Sequence, residues 1–211
     1  MFQQTGILPR VIRDERLVAD FLASKGLRAE EFSKEERTQS KTPDFRVFHG
    51  QDFAFFCEVK SMSRDEWLDK QLDAAQPGEI VGGGRPDPTY NRISQKIHGA
   101  FKQFDAVNPD LVHPNVLVLV NHDKDSDVKD LDLVCSGGFF TEDGKWLPIG
   151  RKFSEGRIRD KKRRIHLFIW IDDFNGGPKH YLRYNREAQE YLDSLCDYFG
   201  SDPASIRASR G

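Results

Sequence analysis

The sequence predicts an α/β (α+β) fold, because strand and helix patterns alternate along the chain. Two extended runs, 44–48 and 53–61, are joined by a short polar turn and predict a hairpin. A helical apolar stripe over 91–107 and an aliphatic run over Asn115–Asn121 follow, and they predict a packed helix and a buried central strand. The 211 residues are expected to form a single domain, 1–211.

The composition is typical of a globular protein and excludes several other classes. Apolar residues make up 37% and charged residues 31% of the chain, and 16 phenylalanines supply much of the expected core. The longest apolar runs are strand-sized, so no membrane segment is predicted, and residues 1–10 lack the apolar region of a secretory signal. Three widely spaced cysteines favour reduced thiols and a cytoplasmic location. The net charge of -2 excludes generic binding of polyanions by the whole surface.

The residues before the hairpin predict one helix and a charged connection. Apolar residues at helical spacing predict a helix over 13–25, and Gly26 is its stop signal. Residues 30–41 are highly charged and predict a solvated helix end or loop, with a short strand near 37–39.

The segment after the hairpin, residues 62–90, is expected to be a flexible loop or lid. It begins with a short helix around 65–75 and is then broken by glycine and proline. Since it leaves directly from the second strand of the hairpin, we interpret it as a substrate-contacting flap.

Residues 126–211 are predicted to add a β-rich and helical extension to the same domain. Three short runs predict strands and turns: 131–134, 137–140 and 145–148. A further strand is predicted over 165–171, and an amphipathic pattern over 187–199 predicts the last helix. The acidic residues after the aliphatic strand, His122-Asp123 with Asp125 and Asp127, favour a solvated turn over a metal site.

Three charged residues of the hairpin stand out, because folding gives no reason for them. Glu58 and Lys60 are two apart on an apolar strand, so their side chains emerge on the same face. A register centred on Gln51 pairs Asp44 with Glu58, whereas a one-residue slip moves Asp44 to the other face. Burial of these charges costs on the order of several kcal/mol unless they pair or hold a cation, and two carboxylates are usual ligands of Mg²⁺.

The residues Pro43-Asp44 and Glu58-Val59-Lys60 resemble the PD-(D/E)xK nuclease superfamily, which has the restriction-endonuclease-like fold. The resemblance implies an αβββαβ core over 10–125, with a mixed central sheet flanked by helices. One more short strand is then required, either upstream of the hairpin or within the loop that follows it.

The same resemblance implies a metal-dependent nuclease, with the three charged residues as its centre. Asp44 and Glu58, with the Val59 carbonyl, would bind Mg²⁺, for which Mn²⁺ substitutes, and Lys60 would position the attacking water. The expected activity is that of an endonuclease that hydrolyses phosphodiester bonds in DNA. A homodimer is compatible with this activity, since a two-fold pair often cuts both strands of a duplex.

Two helices are expected to supply further site residues through the resemblance. Glu15, on the helix before the hairpin, is the candidate extra acid near the metal; the alternative is a first-turn acid that favours the helix dipole. Lys96 lies on one flank of the 91–107 helix and is the expected contact to the scissile strand, with Gln95 second. The alternative is that both are solvated helix residues.

A basic segment, residues 151–164, is the expected contact for phosphates. It holds eight Lys and Arg against two acids, a balance of 8 − 2 = +6 in a chain whose total is -2. The candidate nucleic-acid contacts are Arg157, Arg159, Lys161, Lys162, Arg163, Arg164, Arg85 and Gln95. The alternative for this segment is a solvated surface hairpin.

Two other functions remain open at this point. The first is a catalytically silent nucleic-acid-binding or assembly subunit of the same fold. The second is a protein-interaction domain in which Glu58 and Lys60 merely pair.

Overall fold

A six-stranded mixed sheet forms the centre of the molecule. The computed structural model describes residues 10–63, 67–82, 88–174, 177–185 and 187–208. The strands are β1 (Leu27–Glu31), β2 (Phe45–His49), β3 (Asp52–Met62), β4 (Asn115–Asn121), β5 (Phe139–Phe140), β6 (Trp146–Leu147), β7 (Leu167–Asp172) and β8 (Lys179–Tyr184). The sheet order is β1-β2-β3-β4-β7-β8, and β5 pairs with β6 separately. Strands β3, β4 and β7 run parallel, while the outer pairs are antiparallel.

Helices cover both faces of this sheet, as the sequence predicts. They are α1 (Arg10–Ser24), α2 (Lys34–Gln39), α3 (Trp67–Ala74), α4 (Pro88–Val107), α5 (Val128–Ser136), a π-helix (Lys152–Arg157), α6 (Arg159–Lys162), α7 (Leu192–Phe199) and α8 (Pro203–Ala208). One core layer joins α1 and α7 to the sheet through residues such as Leu22 and Phe55. The other joins α4, α5 and the π-helix to the opposite face through Ile97, Leu131 and Trp170. The mixed α/β architecture is therefore confirmed.

The β2–β3 hairpin contains one irregularity near its turn. Phe48 pairs with Phe53, but the neighbouring Val47 pairs with Phe55, so Ala54 is an extra residue on β3. Beyond this bulge Phe45 pairs with Cys57, which is the register centred on Gln51 that the sequence predicts. Continuing this ladder by one residue sets Asp44 opposite Glu58.

The strand that the sequence left unlocated lies upstream of the hairpin. β1 pairs with β2 over its full length, and only its first residue, Leu27, is buried. The short strand expected near 37–39 is wrong, because these residues belong to α2, whose capping box joins Ser33 and Glu36.

The extension after residue 126 is more helical than its sequence indicates. The short, largely apolar run 131–134 indicates a strand, yet it lies within α5, which begins after a capping box of Asp127 and Asp130. The basic segment is also helical rather than a hairpin, since it forms the π-helix and α6. In the described parts of the chain, no helix has both the length and the apolar character needed to cross a membrane.

Candidate functional site

The three charged residues of the hairpin meet beside Phe45, the first residue of β2. The Asp44 backbone N–H donates a hydrogen bond to the Glu58 carboxylate at 3.1 Å. The Val59 backbone N–H in turn donates to the Asp44 carboxylate at 2.7 Å. The Lys60 ammonium donates to the other oxygen of Glu58. Asp44 and Lys60 thus both contact Glu58, which lies between them.

The Glu58 carboxyl is buried between a second carboxylate, Asp44, and the Lys60 ammonium. The residue is fully buried, at 0% exposure. Burial, and next the charge of Asp44, raise the pKa of Glu58 to about 8, although Lys60 acts in the opposite direction. A carboxyl in this position needs a proton or a cation beside it, and this requirement is typical of functional sites.

The backbone at Val59 adds a third oxygen donor to this pair. Within a strand, the N–H and C=O of one residue point to the same neighbouring strand. Since the Val59 N–H faces Asp44, its carbonyl also points into the space that β2 has vacated. Two carboxylates and a carbonyl form the all-oxygen donor set that suits Mg²⁺. The residues present therefore fit such an ion.

Gln103 of α4 holds Lys60 from the other side, and the sequence did not single it out. Its side-chain oxygen accepts a hydrogen bond from the Lys60 ammonium at 2.9 Å. Its amide nitrogen donates to the Thr42 carbonyl at 3.0 Å. A Cβ at Gly99, one helical turn earlier, would lie at an ordinary contact distance of 3.7 Å from the Lys60 Cε, so α4 passes directly over the lysine stem. Gln103 thereby connects α4, Lys60 and the segment that leads to Asp44.

The other helix residues predicted for the site fall into three different environments. Lys96 is half-buried, and burial and then the nearby Lys60 charge lower the pKa of its ammonium, so it lies on the site flank of α4. Gln95 is exposed on the same helix. Glu15 approaches from α1, since burial and then the Asp44 charge raise the pKa of its carboxyl.

A cleft of about 680 Å³ opens in front of Asp44. One wall is the connection from α2 to β2, residues 37–44, and the other is α4 at Gly99, Lys102 and Gln103. Lys41 and Lys102 are exposed cations on opposite walls. Arg37 is engaged with the Glu31 carboxylate at 3.1 Å. The cleft therefore places the Asp44 carboxylate between two walls that each carry an exposed lysine.

The basic segment offers fewer free cations than its sequence indicates. Lys162 is buried and donates to the Cys135 carbonyl and the Ser154 hydroxyl, so its predicted role as a surface contact is wrong. Arg163 pairs with Glu187 at 2.8 Å, and Arg164 with Asp105 at 3.2 Å.

The remaining predicted nucleic-acid contacts differ in their hydrogen-bond partners and in their exposure. Arg157 donates to the Asn91 side chain at the start of α4, and the Lys161 ammonium donates to the Arg157 carbonyl. Arg159 is exposed on α6. Arg85 lies outside the described residues.

The turn after β4 is more ordered than a solvated loop. Asp123 is 3% exposed and pairs with Arg92 at 2.8 Å. The side chain of His122 is also largely buried, beside the fully buried Asp14. Asp14 precedes the predicted Glu15, and its partner lies 108 residues away, which explains why the sequence gave it no signal. The solvated interpretation is wrong for His122 and Asp123.

Comparisons with protein-family models, with curated proteins and with solved structures found no match for this chain.

Proposed function

We propose that the chain is a Mg²⁺-dependent nuclease with a restriction-endonuclease-like core. The observation that carries this proposal is that Glu58 contacts both Asp44 and Lys60 beside the first residue of β2. The element order α1-β1-α2-β2-β3-α3-α4-β4 supports the proposal, because it contains the αβββαβ order of that core with α2 and α3 as insertions.

Asp44, Glu58 and the Val59 carbonyl would hold the ion. Mg²⁺ bound there supplies Lewis-acid stabilisation of the phosphoryl charge and lowers the pKa of a coordinated water. Lys60 orients the attacking water and offsets the charge that develops on the phosphoryl oxygens. Gln103 keeps the Lys60 ammonium at its position. Glu15, whose carboxyl is influenced by Asp44, would add a negative group on the α1 side.

The substrate is proposed to be DNA, cut internally to leave a 5′-phosphate and a 3′-hydroxyl. Lys41 and Lys102 on the two walls of the cleft would contact phosphates on either side of the scissile bond. Arg159 and Lys161 on α6, with Lys96 on α4, extend this positive surface. A homodimer would allow both strands of a duplex to be cut.

The test is cleavage of plasmid DNA by purified protein in the presence of Mg²⁺ or Mn²⁺. Asp44→Asn keeps an oxygen for the Val59 N–H but removes the charge, and Lys60→Ala removes the ammonium. Both variants should lose metal-dependent cleavage, while Lys145→Ala, an exposed lysine on the β5–β6 turn, should retain it. Full activity in either site variant contradicts the proposal.

Two further measurements, of DNA binding and of metal binding, could support the other functions instead. Salt-dependent DNA binding that survives both site substitutions, without cleavage by the wild type, would indicate a silent binding or assembly subunit. Calorimetry that detects no Mg²⁺ or Mn²⁺ binding sensitive to Asp44→Asn would indicate that Glu58 and Lys60 only pair with each other.

A further inference from the structure

A group of side chains of metal-ligating types, separate from Asp44 and Glu58, lies at the carboxyl ends of the parallel strands. His122 directly follows β4, and Asp173 directly follows β7. Asp14 of α1 reaches the same place, and the ligand atoms of the three residues all lie within 4.8 Å of one another. Ser61, near the end of β3, donates a hydrogen bond to Asp14.

This group is separate from the proposed nuclease centre. Side chains alternate along β3, so Ser61 faces the α1 layer, whereas Glu58 and Lys60 face the α4 layer. Nothing in the nuclease proposal uses His122 or Asp173.

The partners of His122 define which ring nitrogen carries a lone pair. Its Nδ1 lies 3.3 Å from the Arg13 Nη2, and a guanidinium can only donate. Nδ1 is therefore the acceptor, and the Nε2–H donates to the Asp14 carboxylate at 3.0 Å. A buried carboxylate that orients a histidine through one nitrogen leaves the other nitrogen for a metal ion.

The lone pair of Nδ1 and the Asp173 carboxylate are spaced as two ligands of one ion. Nδ1 lies 3.5 Å from the Asp173 Oδ2. A tetrahedral ion with bonds of about 2.0–2.1 Å places two ligands about 3.4 Å apart. The Arg13 Nη2 lies 2.6 Å from the same carboxylate oxygen, so a cationic group already occupies the space between the two ligands.

We propose that His122 Nδ1 and Asp173 Oδ2 bind a transition-metal ion, with Arg13 as the cation that it displaces. Imidazole together with carboxylate suits Zn²⁺ or Mn²⁺ rather than Mg²⁺. The Arg13 side chain is 57% exposed and that of Asp173 is 25% exposed, so the guanidinium can move away and water can complete the coordination. The bound ion would join the ends of β4 and β7.

The test uses Asp44→Asn protein, so that the proposed nuclease centre makes no contribution. Titration with Zn²⁺ by calorimetry, and with Co²⁺ by visible absorption, should detect one ion per chain. Asp173→Asn keeps the shape of the side chain and should weaken binding at least tenfold, as expected for loss of a charged ligand. His122→Ala should abolish the Co²⁺ spectrum.

Arg13→Ala separates a metal site from a purely structural ion network. If the guanidinium competes with the ion, its removal should tighten Zn²⁺ binding by about fivefold. Absence of binding in the Asp44→Asn protein, unchanged affinity in Asp173→Asn, or weaker affinity in Arg13→Ala would each overturn the inference. None of these results depends on whether the chain cleaves DNA.

Discussion

The Asp44 carboxylate accepts a hydrogen bond from the Val59 backbone N–H at 2.7 Å, just beyond the last pair of the β2–β3 ladder. The Asp44 side chain thus accepts the hydrogen bond that a strand backbone would accept if β2 began earlier in the chain. Burial, and next the charge of this carboxylate, raise the pKa of the Glu58 carboxyl to about 8. Asp44 therefore both caps the hairpin and favours the neutral form of its neighbour.

Mg²⁺ affinity should depend on pH through Glu58. Burial and the Asp44 charge raise its pKa to about 8, so below that pH binding must displace a proton. The apparent affinity should fall about tenfold for each pH unit below 8 and level off above it. Calorimetry in buffers of different ionisation enthalpy measures the released proton. Affinity that is constant between pH 6 and 8 contradicts this prediction.

Loss of Gln103 should slow catalysis without weakening substrate binding. Its oxygen accepts from Lys60 at 2.9 Å, and without it the ammonium loses a support from α4. Gln103→Ala should lower kcat by about fivefold to thirtyfold, equivalent to roughly 1–2 kcal/mol, with little change in KM. Gln51→Ala, in the exposed hairpin turn, is the control. A rise in KM at constant kcat would instead assign Gln103 to substrate binding.

Replacement of Lys162 should reduce stability, whereas replacement of Arg159 should reduce DNA binding, although both residues belong to the basic segment. Lys162→Ala leaves the Cys135 carbonyl and the Ser154 hydroxyl without their buried donor and should cost about 2–4 kcal/mol of unfolding free energy. Arg159→Ala, at an exposed position, should leave stability unchanged and reduce the salt dependence of DNA binding by about one unit of slope. Urea denaturation and fluorescence anisotropy measure the two effects. Equal loss of stability in both variants contradicts the assignment.

Protonation of His166 should destabilise the fold below neutral pH. Its Nδ1 accepts the Asn115 backbone N–H at 2.9 Å, and burial lowers the pKa of the imidazole below its ordinary value of 6.5. Below that value the unfolded chain binds a proton that the native state does not, so stability should fall by up to about 1.4 kcal/mol per pH unit.

Denaturation of His166→Gln across the same pH range isolates this contribution. The variant should show a flatter decline than the wild type, whereas His49→Gln, at an exposed position, should not. An unchanged slope in His166→Gln would show that other groups cause the decline.

The hairpin could be predicted from sequence because its signals are local. Alternation places Glu58 and Lys60 on one face. The register of the turn alone would pair Asp44 with Cys57. The bulge at Ala54, for which the sequence gives no signal, brings Asp44 opposite Glu58. The residues that complete the site depend on distant packing. Gln103 contacts Lys60 only because of how α4 is rotated above the sheet, and Asp14 has its partner His122 at the far end of β4.

The errors in secondary structure have a similar origin. The short, largely apolar run 131–134 fits a strand, but the capping box of Asp127 and Asp130 begins a helix there, and that helix is buried on one side against α4. β1 was missed because its only buried residue, Leu27, gives no periodic signal.

The extra residue Ala54 in the hairpin decides whether the two carboxylates meet. Without the bulge, the pairing of Phe48 with Phe53 would continue unchanged and set Asp44 opposite Cys57, on the α1 side of the sheet. A related chain that had lost this alanine would keep its acids opposite each other without a bulge, whereas a chain that kept the alanine in a regular ladder would separate them. Recognition of this site in other genomes therefore requires the spacing within the hairpin as well as the pattern.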